Sequence, residues 1–177
     1  MDNIVITEKG MIYKERFFEL YEYQDLLKII PRKVNLIIAD ENILIKTYEN
    51  YENIKNIKSL IDEDFFSGNG ILIDNIYNHK NKKLIIYGIR SNNVNIFYEN
   101  NINSIKPIQK IVADYLVKVN KFENIKFIFG FNEKTYLNLI EDGKLVESKL
   151  VDKLDNEKKE DIKQVIIKIS SKKIEIS

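Results

Sequence analysis

Between Ile108 and Val119, apolar residues (Ile108, Ile111, Val112, Tyr115, Leu116, Val119) recur at i, i+3, i+4, i+7, i+8 and i+11. That spacing lines one face of an α-helix. Pro107 stands before the run, where a proline is tolerated as the first helical residue. A helix with one apolar face needs an apolar surface to cover it. The chain on either side supplies short runs of Ile, Val, Leu, Phe and Tyr punctuated by Gly, Asn and Asp, which read as strands and turns. The constraint is an α/β architecture, with few helices laid on sheets.

The remaining segments refine this picture. Residues 3–7 (NIVIT) and 11–18 (MIYKERFF) flank Glu8-Lys9-Gly10, which predicts a hairpin with Gly10 supplying the positive φ of a tight turn. Tyr23, Leu26, Leu27 and Ile30 keep helical spacing until Pro31 stops them. Residues 34–39 and 43–47 are apolar runs around Asp40-Glu41-Asn42 and predict a second hairpin. Ile54, Ile57, Leu60, Ile61 and Phe65 predict an amphipathic helix over about 52–66, ended by Ser67-Gly68-Asn69-Gly70. Residues 71–77 and 83–88, joined by the polar turn 79–82, predict a third hairpin. Over 94–98 helix and strand patterns compete, and a helix to about Asn101 is expected.

After Ile125 the texture changes to consecutive strands over 125–130, 135–141 and 144–150, the last two joined by the hairpin dipeptide Asp142-Gly143. A short charged helix is expected over 155–163, then strands over 165–170 and 174–176. The change places a boundary near 120–124, so that 1–122 and 123–177 are the expected units.

Composition narrows the chemistry. With 44% apolar and 31% charged residues, the 177-residue chain has the make-up of a folded protein with a well-solvated surface. Its 28 Lys and Arg balance 27 Asp and Glu, so it lacks the basic excess by which duplex-binding domains neutralise phosphates, and nucleic acid is not an expected partner. The absence of cysteine excludes disulfides, thiolate nucleophiles and Cys-based metal sites. Neither a signal-peptide pattern nor an apolar run of about 20 residues occurs. A cytoplasmic location is expected, with any membrane contact made through a partner or a segment outside this sequence.

Few side chains suggest a site. His79, the only histidine, sits in the Lys-rich turn NHKNKK and has no second histidine with which to hold a metal; a solvated turn residue is expected. Asp40 follows one apolar strand and Asp74 interrupts another. On neighbouring strands they could share a divalent ion for phosphoryl transfer or nuclease chemistry, whereas a turn cap and a polar strand face account for them without a metal. Gly68-Asn69-Gly70 follows a helix and precedes a strand, the wrong polarity for a phosphate loop. Lys80, Lys82, Lys83 and Lys158-Lys159 read as solvated surface. No cofactor is expected.

The whole arrangement resembles a known group. An initial hairpin and a helix ended by Pro31 lead into VNLIIADENILIKTYE, an amphipathic helix and IDNIYNHKNKKLIIYGI. INSIKPIQKIVADYLVKV and IKFIFGFNEKTYLNLIEDGKLVESKLV complete the match. This resembles the actin-like cytoplasmic domain of the type II secretion L-protein (GspL) family and its type IV pilus relative PilM. The resemblance implies a ribonuclease H-like, actin-like fold of mixed sheets in two subdomains, the second incomplete or short in this sequence. It also implies an assembly role at the inner face of the cytoplasmic membrane, in contact with a secretion or pilus ATPase or an inner-membrane protein, with a homodimer as a further possibility.

Active actin-like ATPases carry an Asp in a Gly-rich turn at the first hairpin of each subdomain, where backbone amides cradle phosphates and the carboxylate organises Mg²⁺. Here the first hairpin reads IVITEKGMIY and the second IFGFNEKTY. The turn at Gly10 has no Asp; the second keeps Gly130 and Thr135 but has Ile128 where the Asp belongs. The resemblance therefore implies two degraded phosphate turns and a non-catalytic scaffold. Metal-dependent phosphotransfer through Asp40 and Asp74, and actin-like ATP binding, stand as the alternatives.

Overall fold

The computed structural model describes residues 2–39, 42–50, 57–65, 70–79, 81–97, 101–151, 162–169 and 174–177. The first strands are β1 (Asp2–Ile6), β2 (Gly10–Tyr13), β3 (Arg16–Glu19) and β4 (Lys33–Ile38), with α1 (Tyr23–Ile29) between the last two. Next come β5 (Ile43–Glu49), α2 (Ile57–Phe65), β6 (Gly70–Asn78), β7 (Lys83–Arg90), a 3-10 helix (Asn92–Phe97), β8 (Asn101–Pro107) and α3 (Ile108–Asn120). The chain continues with β9 (Ile125–Phe131), β10 (Lys134–Glu141), β11 (Lys144–Val151), β12 (Lys163–Val165), β13 (Ile167–Ile169) and β14 (Ile174–Ile176).

These strands form a five-stranded sheet β3-β2-β1-β4-β8, a four-stranded sheet β11-β10-β9-β12, a three-stranded sheet β5-β7-β6 and the β13-β14 ribbon. In the first, β1, β2 and β3 are antiparallel neighbours while β4 runs parallel to β1 and to β8. The second repeats this plan. Strands β9, β10 and β11 form the antiparallel meander, and β12 runs parallel to β9.

Burial follows the strand alternation. Ile4 and Ile6 of β1, with Val34, Leu36 and Ile38 of β4, point into a core closed by Leu26 of α1 and by Val94 and Phe97. Val5, Ile37 and Ala39 point the other way, into a second core shared with Ile108, Val112 and Leu116 of α3 and with Phe127, Phe129 and Tyr136 of the second sheet. Strands covered on both faces are written as unbroken apolar runs, which is why NIVIT and VNLIIA lack polar alternation. A smaller cluster joins Leu84 and Ile86 of β7 to Ile57 and Ile61 of α2. The second core runs continuously from β1 to β11 across residue 122.

The structure corrects several expectations. Strands β4 and β5 do not form a hairpin: β1 and β8 occupy both edges of β4, so β5 pairs instead with β7 from Ile43↔Ile89 to Glu49↔Lys83. The segment 11–18 is two strands, broken at Lys14 and Glu15, both at positive φ (49° and 64°). Gly10 is not in the positive-φ region; glycine is required there because a Cβ would lie 2.3 Å from the Phe18 carbonyl oxygen. Residues 94–97 are helical, but the chain then enters strand β8. A register shift between Val34 and Asn35 leaves Asn103 as an extra residue, so Ile102 and Ile105 reach the same core at a spacing of three. Pro107 is the N-cap of α3 rather than its first residue, and the segment 165–170 divides at Ile166 into β12 and β13. Other features fall as expected. The β6–β7 hairpin is present, and Asp142 and Gly143 both take positive φ (49° and 70°), as a two-residue hairpin loop with right-handed twist requires. Residues 51–56, 66–69 and 152–161, which carry part of the helix expected over 52–66, its Ser-Gly-Asn end and most of the charged helix, lie outside the described residues.

Candidate functional site

The repeated strand order puts two turns in equivalent places: Thr7–Lys9 between β1 and β2, and Asn132-Glu133 between β9 and β10. The first is knotted locally. Thr7 N–H donates to the Gly10 carbonyl at 2.8 Å, while its hydroxyl donates to the same oxygen at 2.9 Å and accepts from Gly10 N–H at 3.0 Å. The Asn93 side chain donates to the Thr7 carbonyl at 3.0 Å and fixes the turn from behind. The second turn is a two-residue loop closed by the Phe131↔Lys134 pair, with Asn132 at φ 52°.

The two turns face each other. Lys9 Nζ lies 3.4 Å from Glu133 Oε2 and Lys134 Nζ lies 3.9 Å from Glu8 Oε2. Each turn thus contributes one Glu-Lys dipeptide, and the dipeptides pair crosswise. Between them lies a cavity of about 380 Å³ with Ile12 and Phe17 in its apolar wall. A phosphate here would meet Glu8 and Glu133 as well as two lysines already engaged by those carboxylates. The glycines of the two turns differ in kind. A Cβ at Gly10 would collide with backbone, whereas one at Gly130 would come no nearer than 3.9 Å to the Lys134 carbonyl oxygen. Gly130 is exposed and has room for a side chain.

A second polar cluster surrounds Asp74. An extra residue in β6, between Leu72 and Asp74, sets Asp74 opposite Tyr87. Lys110 reaches across from α3. Its Nζ stands 3.5 Å from Asp74 Oδ2, 3.4 Å from Asp114 Oδ1 and 5.0 Å from the centre of the Tyr87 ring. The Tyr87 hydroxyl donates to the Leu145 carbonyl at 2.8 Å. Burial, reinforced by Asp114 and then Asp74, pushes the Tyr87 phenol well above the ordinary range, so it is a neutral donor at any working pH. Here the charge facing Asp74 is a protein ammonium. Asp40 lies outside the described residues. Among the described residues, no group of three or more His, Asp or Glu side chains is placed to hold a metal.

Lys110 itself is only 9% exposed at its side chain, against 43% and 39% for Asp74 and Asp114. Removing the lysine leaves two carboxylates that water can still reach, so the loss is smaller than for a fully buried pair. Lys110→Ala is expected to lower stability by about 1–2 kcal/mol, mostly through its stem, and Lys110→Met to recover most of it. Urea unfolding of the two variants measures this. Addition of Mg²⁺ or Mn²⁺ to the wild-type chain is expected to leave its melting temperature unchanged.

The other described candidates lie on the surface. His79 is exposed, its ring 6.2 Å from that of Tyr77. Lys83 pairs with Glu49 at 3.1 Å. Lys80 and Lys158-Lys159 lie outside the described residues. No helix among the described residues is long and apolar enough to cross a membrane. Sequence reasoning missed Lys110 and both Glu-Lys turns. The available signals were the i, i+4 spacing of Lys110 and Asp114 and the recurrence of the same dipeptide in two hairpin turns.

No protein-family model and no curated protein matches the chain. Among solved structures, a Bacteroides thetaiotaomicron protein with an actin-like ATPase fold and unknown function superposes with a TM-score of 0.52. The match is 12% identical in sequence and covers 88% of this chain and 71% of that one. The chain has an actin-like ATPase fold. A chain of a PilM–PilN type IV pilus biogenesis complex is also similar, with a TM-score of 0.46 and 10% identity over 85% of this chain; this chain spans 57% of its length.

Proposed function

We propose that this chain is a non-catalytic assembly component of a type II secretion or type IV pilus system, in which residues 1–122 and 123–177 form two ribonuclease H-like subdomains. It would work at the inner face of the cytoplasmic membrane, binding the assembly ATPase or a membrane protein of the same machine. The observation that carries the non-catalytic part is the crossed pairing of Glu8-Lys9 with Glu133-Lys134 at the two hairpin turns. In nucleotide-binding members of the fold, those turns hold phosphates with backbone amides and Mg²⁺ with an Asp. Here no Asp is present in either turn, and two carboxylates stand in the gap. The assembly role is supported by the sequence resemblance to the secretion L-protein and PilM domains.

Two measurements test the reading. A thermal shift with ATP and Mg²⁺ is expected to show no stabilisation, whereas a ligand at a hundred times its dissociation constant would add about 2.7 kcal/mol. Binding is expected to the N-terminal region of the secretion or pilus ATPase, or to the short cytosolic tail of an inner-membrane assembly protein. Failure to bind any of these would overturn the assembly role, and a nucleotide-dependent shift would overturn the non-catalytic one.

A further inference from the structure

The repeated strand plan makes the turn contacts more than two incidental surface pairs. Turns β1–β2 and β9–β10 are equivalent, each presents glutamate then lysine in the same order, and the pairing is reciprocal: Lys9 meets Glu133 and Glu8 meets Lys134. The partners are 124 residues apart in sequence for the Lys9–Glu133 contact. They are therefore brought together by the two sheets and not by local structure. Each dipeptide is self-complementary to the other, as the halves of a two-fold contact are. The same four side chains line the cavity between the turns, together with Ile12 and Phe17.

We infer that Glu8, Lys9, Glu133 and Lys134 form a charge-paired clasp that holds the two turns together without a ligand, so that ionic strength sets how readily this cleft opens. The inference rests on the reading that these turns no longer carry a nucleotide. The side chains are well exposed, at 75% and 88% for Lys9 and Glu133 and at 44% and 67% for Lys134 and Glu8. Exposed pairs are individually weak, and the two together shift an equilibrium by roughly two- to thirty-fold. Screening acts over about 30 Å at 0.01 M salt and about 3 Å at 1 M. The clasp holds at low salt and releases at high salt.

The test is a charge-reversal cycle on the full chain. One variant carries Glu8→Lys with Lys9→Glu, a second carries Glu133→Lys with Lys134→Glu, and the third carries all four changes. Reversing either turn alone sets like charges opposite each other at both contacts, and reversing both restores opposite charges. Urea unfolding at low and high salt gives the equilibrium constant, and hydrogen exchange reports the amides of 7–10 and 131–135. At low salt each single reversal is expected to shift the unfolding constant by roughly two- to thirty-fold and to speed exchange at both turns. The fourfold variant is expected to return to wild type, and 1 M salt to erase the differences. Additive effects, with the fourfold variant worse than either single reversal, would overturn the clasp, as would single reversals indistinguishable from wild type. A parallel arm adds ATP and Mg²⁺ to the wild-type chain. Slower exchange at both turns there overturns the non-catalytic reading, while the charge cycle still decides the clasp.

Discussion

Gly10→Ala is expected to cost about 3 kcal/mol of stability, at the upper end for an added methyl group in a packed site. A Cβ at this position lies 2.3 Å from the Phe18 carbonyl oxygen and 2.7 Å from the Phe17 ring. The ring can turn aside; the carbonyl cannot, because Gly10 pairs with Glu19 and Met11 with Phe18 in the β2–β3 ladder. Relief therefore requires β3 to move away from β2, which uncovers Met11 and Phe18 of the first core. Gly130→Ala serves as the control. Its Cβ has ordinary clearance, and replacing a strand glycine there is expected to be neutral or stabilising by about 0.5 kcal/mol. Urea midpoints for the two variants check the contrast, and equal losses would show that the Phe18 contact is not what requires glycine.

The second large effect lies in the shared core. Phe129 stacks on Tyr136 with ring centroids 4.7 Å apart and is 1% exposed. Phe129→Ala is expected to lose about 3–5 kcal/mol, and Phe129→Leu, which keeps most of the volume, under about 1.5 kcal/mol. The informative part is where the damage spreads. Phe129 belongs to the same buried cluster as Val5 and Ile37 of the first sheet and Val112 and Leu116 of α3. Hydrogen exchange in the alanine variant should therefore show β1 and β4 losing protection together with β9 and β10. Protection retained in β1 and β4 alone would make residues 1–122 a separate cooperative unit.

The sequence was most legible where one element is governed by its own residues. The stripe from Ile108 to Val119 gave α3, and Asp142-Gly143 gave a hairpin loop whose two positive φ angles only a few residue types tolerate. It was least legible where a distant strand decides. Nothing near residue 40 announces that β1 and β8 already hold both edges of β4, so a hairpin with β5 looked natural. Strand β8 hid because its bulge sets two core isoleucines three residues apart, a helical spacing. The candidate site divides the same way. That neither turn holds an Asp is plain in the sequence, but the crossing of the two Glu-Lys dipeptides depends on how two sheets pack. The Asp74 contact likewise needed a lysine from a helix some thirty-six positions later.

The parallel placement of β4 between β1 and β8 bears on how the chain is made. The Ser104 hydroxyl donates to the Asn35 side chain across a separation of 69 residues, and the β4–β8 ladder spans the same interval. Closing so long a loop is slow compared with forming the β1–β2–β3 meander, which is local. A growing chain therefore holds a three-stranded ribbon with the edge of β1 uncovered until β4 has emerged. The half-built sheet then presents the edge of β4 until residue 107 leaves the ribosome. Ile4, Ile6, Leu36 and Ile38 meanwhile lack part of their cover, since Val94 and Phe97 arrive almost as late. Growing chains of this protein should be most vulnerable to sticking together in that window, and a chaperone that shields open strand edges should help it most there.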